Sequence, residues 1–440
     1  MINIDIISFE FKHFYRSRAK IFSYIFFMVL CVVSIYNGFE MMQKQLSTIK
    51  EIKQNQHEQI LEKIGWFDQG VSGPVDKPWI DIYEPYWSVR STPTYMIKEP
   101  SSLFPLGIGQ SEQFGFYKKV NRWSSTYDSD MVEEISNYER LINGNIDFSF
   151  LIIFLLPILI IILTYNINGL EKDLKFYKLI LSQNRRINNL LINRLLFYVL
   201  LIIFSIDILI ISVALINHSF LSNMFDVLKL VLIANTYVLA FASFFYFINK
   251  KGQSSSSIAF RMISVWLVFC VIIPGSVHQY TSYKYPVNYM TDFLDVNRKQ
   301  TYEVFKLSNT DLYYILIDLH RDLINTKKSQ EKILDSKLIR RSISTIVNQM
   351  NISAANLIEE QNNDKNKIIR SSYFFNPVTY TQNLWNSITE TDYNSYRKFR
   401  LNIQNSIDKR NDLIIYESWN DYKVDKDKYM LYLKDLTNQY

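Results

Sequence analysis

Three stretches hold residue types able to do chemistry. The first, FPLGIGQSEQFGFYKKV (Phe104–Val120), carries Gly107, Gly109 and Gly115. Glycine-rich loops cradle phosphate when a strand precedes them and a helix N-terminus follows, so that backbone N–H groups face the anion. Here the spacing is wrong for a dinucleotide fingerprint, and no lysine follows as a P-loop needs. The second is Asp207, in the middle of the apolar stretch LIIFSIDILIISV. A charge at the centre of a bilayer costs about 2.5–3.5 kcal/mol on insertion scales, so Asp207 needs a polar partner or a cavity. Asn235 and Thr236, on a later apolar run, are the candidate partners. Two roles stay open: lining a substrate path together with those residues, or a neutral, hydrogen-bonded structural element. The third is Glu171-Lys172-Asp173, which opens an amphipathic run in which Leu174, Tyr177, Leu179 and Leu181 recur among lysines.

Other chemistries lack their residues. The histidines (His13, His57, His218, His278, His320) are scattered, with no metal-ligand spacing. Both cysteines, Cys31 and Cys270, fall inside apolar runs, so no disulfide is expected. No nucleophile–base motif or zinc-protease signature occurs, so no enzymatic activity is expected. Neither a metal nor a nucleic acid partner is expected.

The elements that must carry these residues are membrane spans. About half of the 440 residues are apolar, yet mean hydropathy is near neutral, as when spans alternate with very polar segments. Five apolar runs give spans at 21–39, 148–168, 195–217, 227–248 and 258–274. Crossing the hydrocarbon core takes roughly 20 residues. The fold class is therefore a polytopic α-helical membrane protein. Pro157 is expected to kink the second span. The first run lacks a small-residue cleavage site and is followed directly by a polar helical pattern, which reads as an uncleaved anchor.

Basic residues set the orientation. Lys12, Arg16, Arg18 and Lys20 precede the first span. Lys172, Lys175, Lys178, Arg185, Arg186 and Arg194 lie between the second and third. Lys250, Lys251 and Arg261 flank the fifth, whereas the link around His218–Asp226 has no Lys or Arg. The N-terminus is thus expected inside. Residues 40–147 and 277–440 form two extracytoplasmic segments, and 169–194 form a cytoplasmic link. Residues 1–20 read either as a helix lying on the membrane surface, with Ile6, Phe9, Phe11 and Phe14 to one side, or as an extension of the first span.

The first external segment begins as a helical stalk with no breaker until Gly65. It then turns rich in Pro, Gly, Trp and Tyr over Asp68–Phe116, which predicts short strands and turns, and Ser124–Gly144 reads as helical. That segment is therefore mixed α/β. The second is mainly helical, almost free of Gly and Pro from Asn297 to about Arg370, with a break at FFNPVTY. Trp66, Trp79, Trp87 and Trp123 read either as the core of their own domain or as an apolar binding face.

Several of these stretches, in order, resemble the ABC-2 type exporter permeases, in the DUF3526-containing subgroup with a large external domain. PLGIGQSEQFGFYKKV (Pro105–Val120) and DMVEEISNYERLINGNIDFSFLIIFLLPILIIILTYNINGLEKD (Asp130–Asp173) are similar to segments of that subgroup, and Glu10 and Arg16 match its acidic and basic positions before the first span. The resemblance covers about Glu10 to Pro286. It implies a multi-pass protein of the bacterial plasma membrane, an exporter subunit paired with a second permease as homo- or heterodimer. It also implies a cytosolic ATPase dimer that binds ATP and Mg in its stead. Gly169 and Glu171–Asp173 match the family's Gly-Glu-Arg-Glu-like turn. The resemblance thus makes Glu171, Lys172, Asp173, Leu174 and Tyr177 the ATPase-coupling residues, and Glu10 and Arg16 those of an interface helix. Two departures stand out. Bulky Phe176 and Tyr177 replace a usual Gly-Thr pair, and no sixth apolar run follows the fifth, which implies reliance on a fuller partner permease or an assembly role for the second external segment. The alternative function is a non-transporting membrane protein whose external domains bind a ligand or assemble an envelope complex.

Overall fold

The computed structural model describes residues 4–128, 130, 146–183, 187–286, 293, 296–331 and 335–437. Most of the helix expected over Ser124–Gly144, and the basic pair Arg185 and Arg186, lie outside the described residues.

Helix α1 (Ile4–Arg16) is separated by Ser17, in an extended conformation, from α2 (Arg18–Gln69). It is thus a helix of its own and no mere extension of the first span. Its buried face centres on Glu10, while Phe9 and Phe11 are exposed. Helix α2 runs through Gly65 and stops at Gly70. That residue takes a left-handed conformation (φ 68°), and the following N–H of Val71 returns to Trp66 O. Its 52 residues span roughly 78 Å, more than twice a hydrocarbon core, so its C-terminal part projects well clear of the apolar helices.

A small body follows: α3 (Pro85–Ser91) and the antiparallel pair β1 (Thr94–Ile97) and β2 (Tyr117–Val120), with Thr94 opposite Val120. The chain then re-enters the bundle through α4 (residues 148–164), whose stretch Leu151–Leu155 is π-helical. Pro157 lies just beyond this stretch and has no N–H for Ile153 O. The freed carbonyl accepts from Tyr237 Oη at 2.6 Å, and Phe154 O accepts from Trp266 Nε1 at 2.8 Å. The expected distortion is thus absorbed by two neighbouring helices.

Short helices α5 (Gly169–Asp173) and α6 (Tyr177–Gln183) lead to α7 (Ile187–Ile216), α8 (Ser219–Ser222), α9 (Met224–Lys251) and α10 (Ser255–Lys284). Five helical stretches, beginning at Arg18, Phe148, Asn188, Met224 and Ser255, are long and apolar enough to cross a membrane. The remainder is helical: α11 (Val296–Lys306), α12 (Asn309–Leu319), α13 (Ser336–Ser371), α14 (Pro377–Ile388), α15 (Tyr393–Trp419) and α16 (Lys426–Thr437). Helices α13 and α15 pack along each other, and α15 also packs on α3, so the second large segment rests on the first. Arg410 of α15 is fully enclosed there. It donates to Val89 O (2.9 Å) and Thr92 O (2.8 Å), at the C-terminal end of α3. Trp385 and Val378 of α14 belong to the same apolar core as the spans, and Trp385 Nε1 donates to Leu106 O at 2.8 Å. Of the sequence's tryptophans, Trp385 and Trp419 are fully buried, whereas Trp79 is 63% exposed.

Candidate functional site

The glycine run makes no phosphate cradle. Gly107 N–H donates to Phe104 O, Gly109 N–H to the Asp147 carboxylate at 3.1 Å, and Gln110 N–H to Thr391 O. Gly109 has φ 53°, and a Cβ there would sit 2.5 Å from Thr391 Oγ1. Glycine is required for that close approach, and the amides an anion would need are already engaged.

The polar cluster with most reach lies where α1, α5 and the starts of α7 and α10 meet. Arg194, in the first turns of α7, places Nε 2.8 Å from Glu10 Oε1 and pairs through Nη1 with Glu171 of α5. The same guanidinium donates to Ile167 O at 2.6 Å. Glu10 is 3% exposed, and its second oxygen accepts from Tyr198 Oη at 3.1 Å, which in turn accepts from Lys20 Nζ at 2.9 Å. Burial and the neighbouring Lys20 ammonium hold His13, beside Glu10, below the usual imidazole range, so it stays neutral at physiological pH. The open space beside Glu171, Tyr177 and Arg194 is about 10 Å³, room for about one water. Among the described residues the cluster is a closed joint with no ligand-sized cavity.

The rest of the Glu171–Tyr177 segment is tied to the α9–α10 corner. Lys172 Nζ donates to Gly252 O (2.5 Å) and lies over the Tyr177 ring. Asp173 accepts from Ser255 N–H at 3.2 Å, capping the start of α10. Gly169 is needed for this approach: a Cβ there would lie 2.5–2.7 Å from Ser255 atoms. One short segment is thereby stitched to α7, to α10 and to the corner between α9 and α10. Its apolar side chains are left outside: Leu174, Phe176 and Leu179 are 56–58% exposed, and Tyr177 is half-buried.

The structure therefore brings Glu10 and Glu171 to one cation, while Arg16 is exposed at the end of α1. Sequence reasoning counted Arg194 only as a flanking basic residue and missed it as the cation that joins them. The available signal was an arginine directly abutting an apolar run, where a bare charge must find partners. Tyr198, Lys20 and His13 join the cluster without a comparable signal.

Between α7 and α9, Asn235 Nδ2 donates to Asp207 Oδ2 at 3.2 Å. Thr236 is exposed. It is one residue round the helix from Asn235, turned away from α7, so of the two candidate partners only the first meets Asp207. Compared with protein-family models, with curated proteins and with solved structures, the chain has no match.

Proposed function

We propose that the chain is the membrane subunit of an ATP-driven exporter, moved by a separate cytosolic ATPase that contacts the segment from Glu171 to Leu181. The observation that supports this reading is the dual character of that segment. Glu171, Lys172 and Asp173 are spent inside the protein, on Arg194, Gly252 O and Ser255 N–H, while Leu174, Phe176 and Leu179 point outward. A push on those apolar side chains reaches α7, α10 and the α9–α10 corner directly, and α1 through the shared Arg194. Short amphipathic helices engage partner grooves through such exposed apolar anchors. Under this reading the Glu10–Arg194–Glu171 joint keeps the moving parts in register, and the ATPase supplies ATP and Mg chemistry.

A second reading, a membrane-anchored binding or assembly protein, is favoured by one feature of the outer body. A cleft of about 300 Å³ lies between α13 and α14, lined by Asn366, Arg370, Tyr373, Tyr380, Asn383 and Asn386.

Purification of the tagged protein in mild detergent, with mass spectrometry of what accompanies it, separates the two. A co-purifying P-loop ATPase that is lost in Leu174→Asp/Leu179→Asp supports the exporter. Envelope proteins without any ATPase, at every detergent strength, overturn it.

A further inference from the structure

Two oxygens in the seam between α7 and α9 have no donor. Asn235 Nδ2 satisfies Asp207 Oδ2, but Asp207 Oδ1 and Asn235 Oδ1 are both buried and find no partner among the described residues. Both are acceptors when the acid is ionised. They belong to two planar groups that already face each other through one hydrogen bond. The other charged residues of these helices are Arg194 near the start of α7, Lys250 and Lys251 at the end of α9, and, in its first turns, Lys229, which is paired with Asp226 at 2.7 Å.

We infer that the Asp207–Asn235 pair is a proton-binding site: Asp207 is held as the neutral acid at physiological pH, its Oδ1–H donating to Asn235 Oδ1 while Asn235 Nδ2–H donates to Asp207 Oδ2. One proton satisfies both orphaned oxygens and removes the charge from an apolar seam, where an unpaired carboxylate is costly. A metal cation fits poorly, since hard cations take six or more oxygens and this site offers two. The closed ring of two hydrogen bonds also gives α7 and α9 a fixed register at that depth. Losing the proton leaves a carboxylate with a single donor, which only water entering between the helices can solvate. Opening of this seam and release of the proton are therefore one event. The inference rests on the helices spanning a membrane and is independent of the exporter reading, since it needs no ATPase.

Infrared spectroscopy of the full chain in lipid nanodiscs at neutral pH tests it. The wild type minus Asp207→Asn difference should contain the C=O stretch of a protonated carboxylic acid, lost in the variant. Asn235→Leu should move that band to higher frequency, because its hydrogen-bond partner is gone. A difference spectrum with carboxylate bands only, or an acid band unmoved by Asn235→Leu, overturns the proposal. If Asp207→Asn does not accumulate, the wild type minus Asn235→Leu spectrum decides by the same shift.

Discussion

Arg194 is the residue on which the α1–α5–α7 joint depends, because two carboxylates from distant parts of the chain share it. Removing one partner of a buried ion pair strands the other and costs about 3–5 kcal/mol. Arg194→Met is therefore expected to lower thermal stability in detergent strongly, and Arg194→Met/Glu10→Gln to recover part of the loss, as a melting curve for each variant would show. A double variant no better than the single one would mean the carboxylates do not depend on this cation. Lys63, in the C-terminal part of α2, is a second buried charge. It is 7% exposed, and burial lowers its amine to about 8, with Lys119 and Arg410 adding to the effect and Glu62 opposing it. Below pH 8 the folded protein carries the whole cost of a charged buried amine. Between pH 8 and the unfolded value near 10.4 the unfolded chain binds more protons, so stability rises with pH across that window. Lys63→Met should raise stability at pH 7 by up to about 3 kcal/mol and abolish the alkaline rise. An unchanged pH profile in that variant would remove Lys63 as its cause.

At the scale of elements, contacts between helices are set by backbone gaps and freed carbonyls. Gly169 lets α5 touch the first turn of α10, so Gly169→Val should cost about 1–3 kcal/mol by overpacking. Thermal melts in detergent would show this, and a variant that melts with the wild type would mean that the approach of α5 to α10 does not depend on the missing side chain. The π-helical stretch before Pro157 is held by Tyr237, whose hydroxyl satisfies Ile153 O. Tyr237→Phe leaves that carbonyl buried and unpaired, with an expected loss of about 1–3 kcal/mol, measurable by thermal melts. Equal melting of variant and wild type would mean the carbonyl finds another donor.

At the scale of the whole molecule, five long apolar helices carry a helical body that shares one continuous core with them through Trp385 and Val378. The orientation expected from the basic residues is open to a direct test. Both native cysteines are buried. In a Cys31→Ser/Cys270→Ser background, Ser353→Cys on α13 should react with an impermeant maleimide from outside the cell, and Ser182→Cys on α6 only after permeabilisation. Both native serines are exposed, so a reversed pattern would invert the topology.

The sequence by itself determined the apolar helices, the long stalk, the break before Pro377 and the strain at Pro157, because hydrophobic runs, proline and glycine act locally. It also singled out Asp207, since an ionisable group inside an apolar run needs a polar partner, whereas Glu10 stood out only through the family resemblance and Glu171 through that and the amphipathic run it opens. The tertiary structure decided the partners. Glu10 and Glu171 meet only because α1 and α5 converge on Arg194, a contact between residues far apart in the chain. Asn235 rather than Thr236 meets Asp207 because a step of one residue turns a helix by about 100°, which no single-sequence pattern resolves. The same holds for Arg410, an unremarkable arginine in a polar helix until α15 lies across the end of α3.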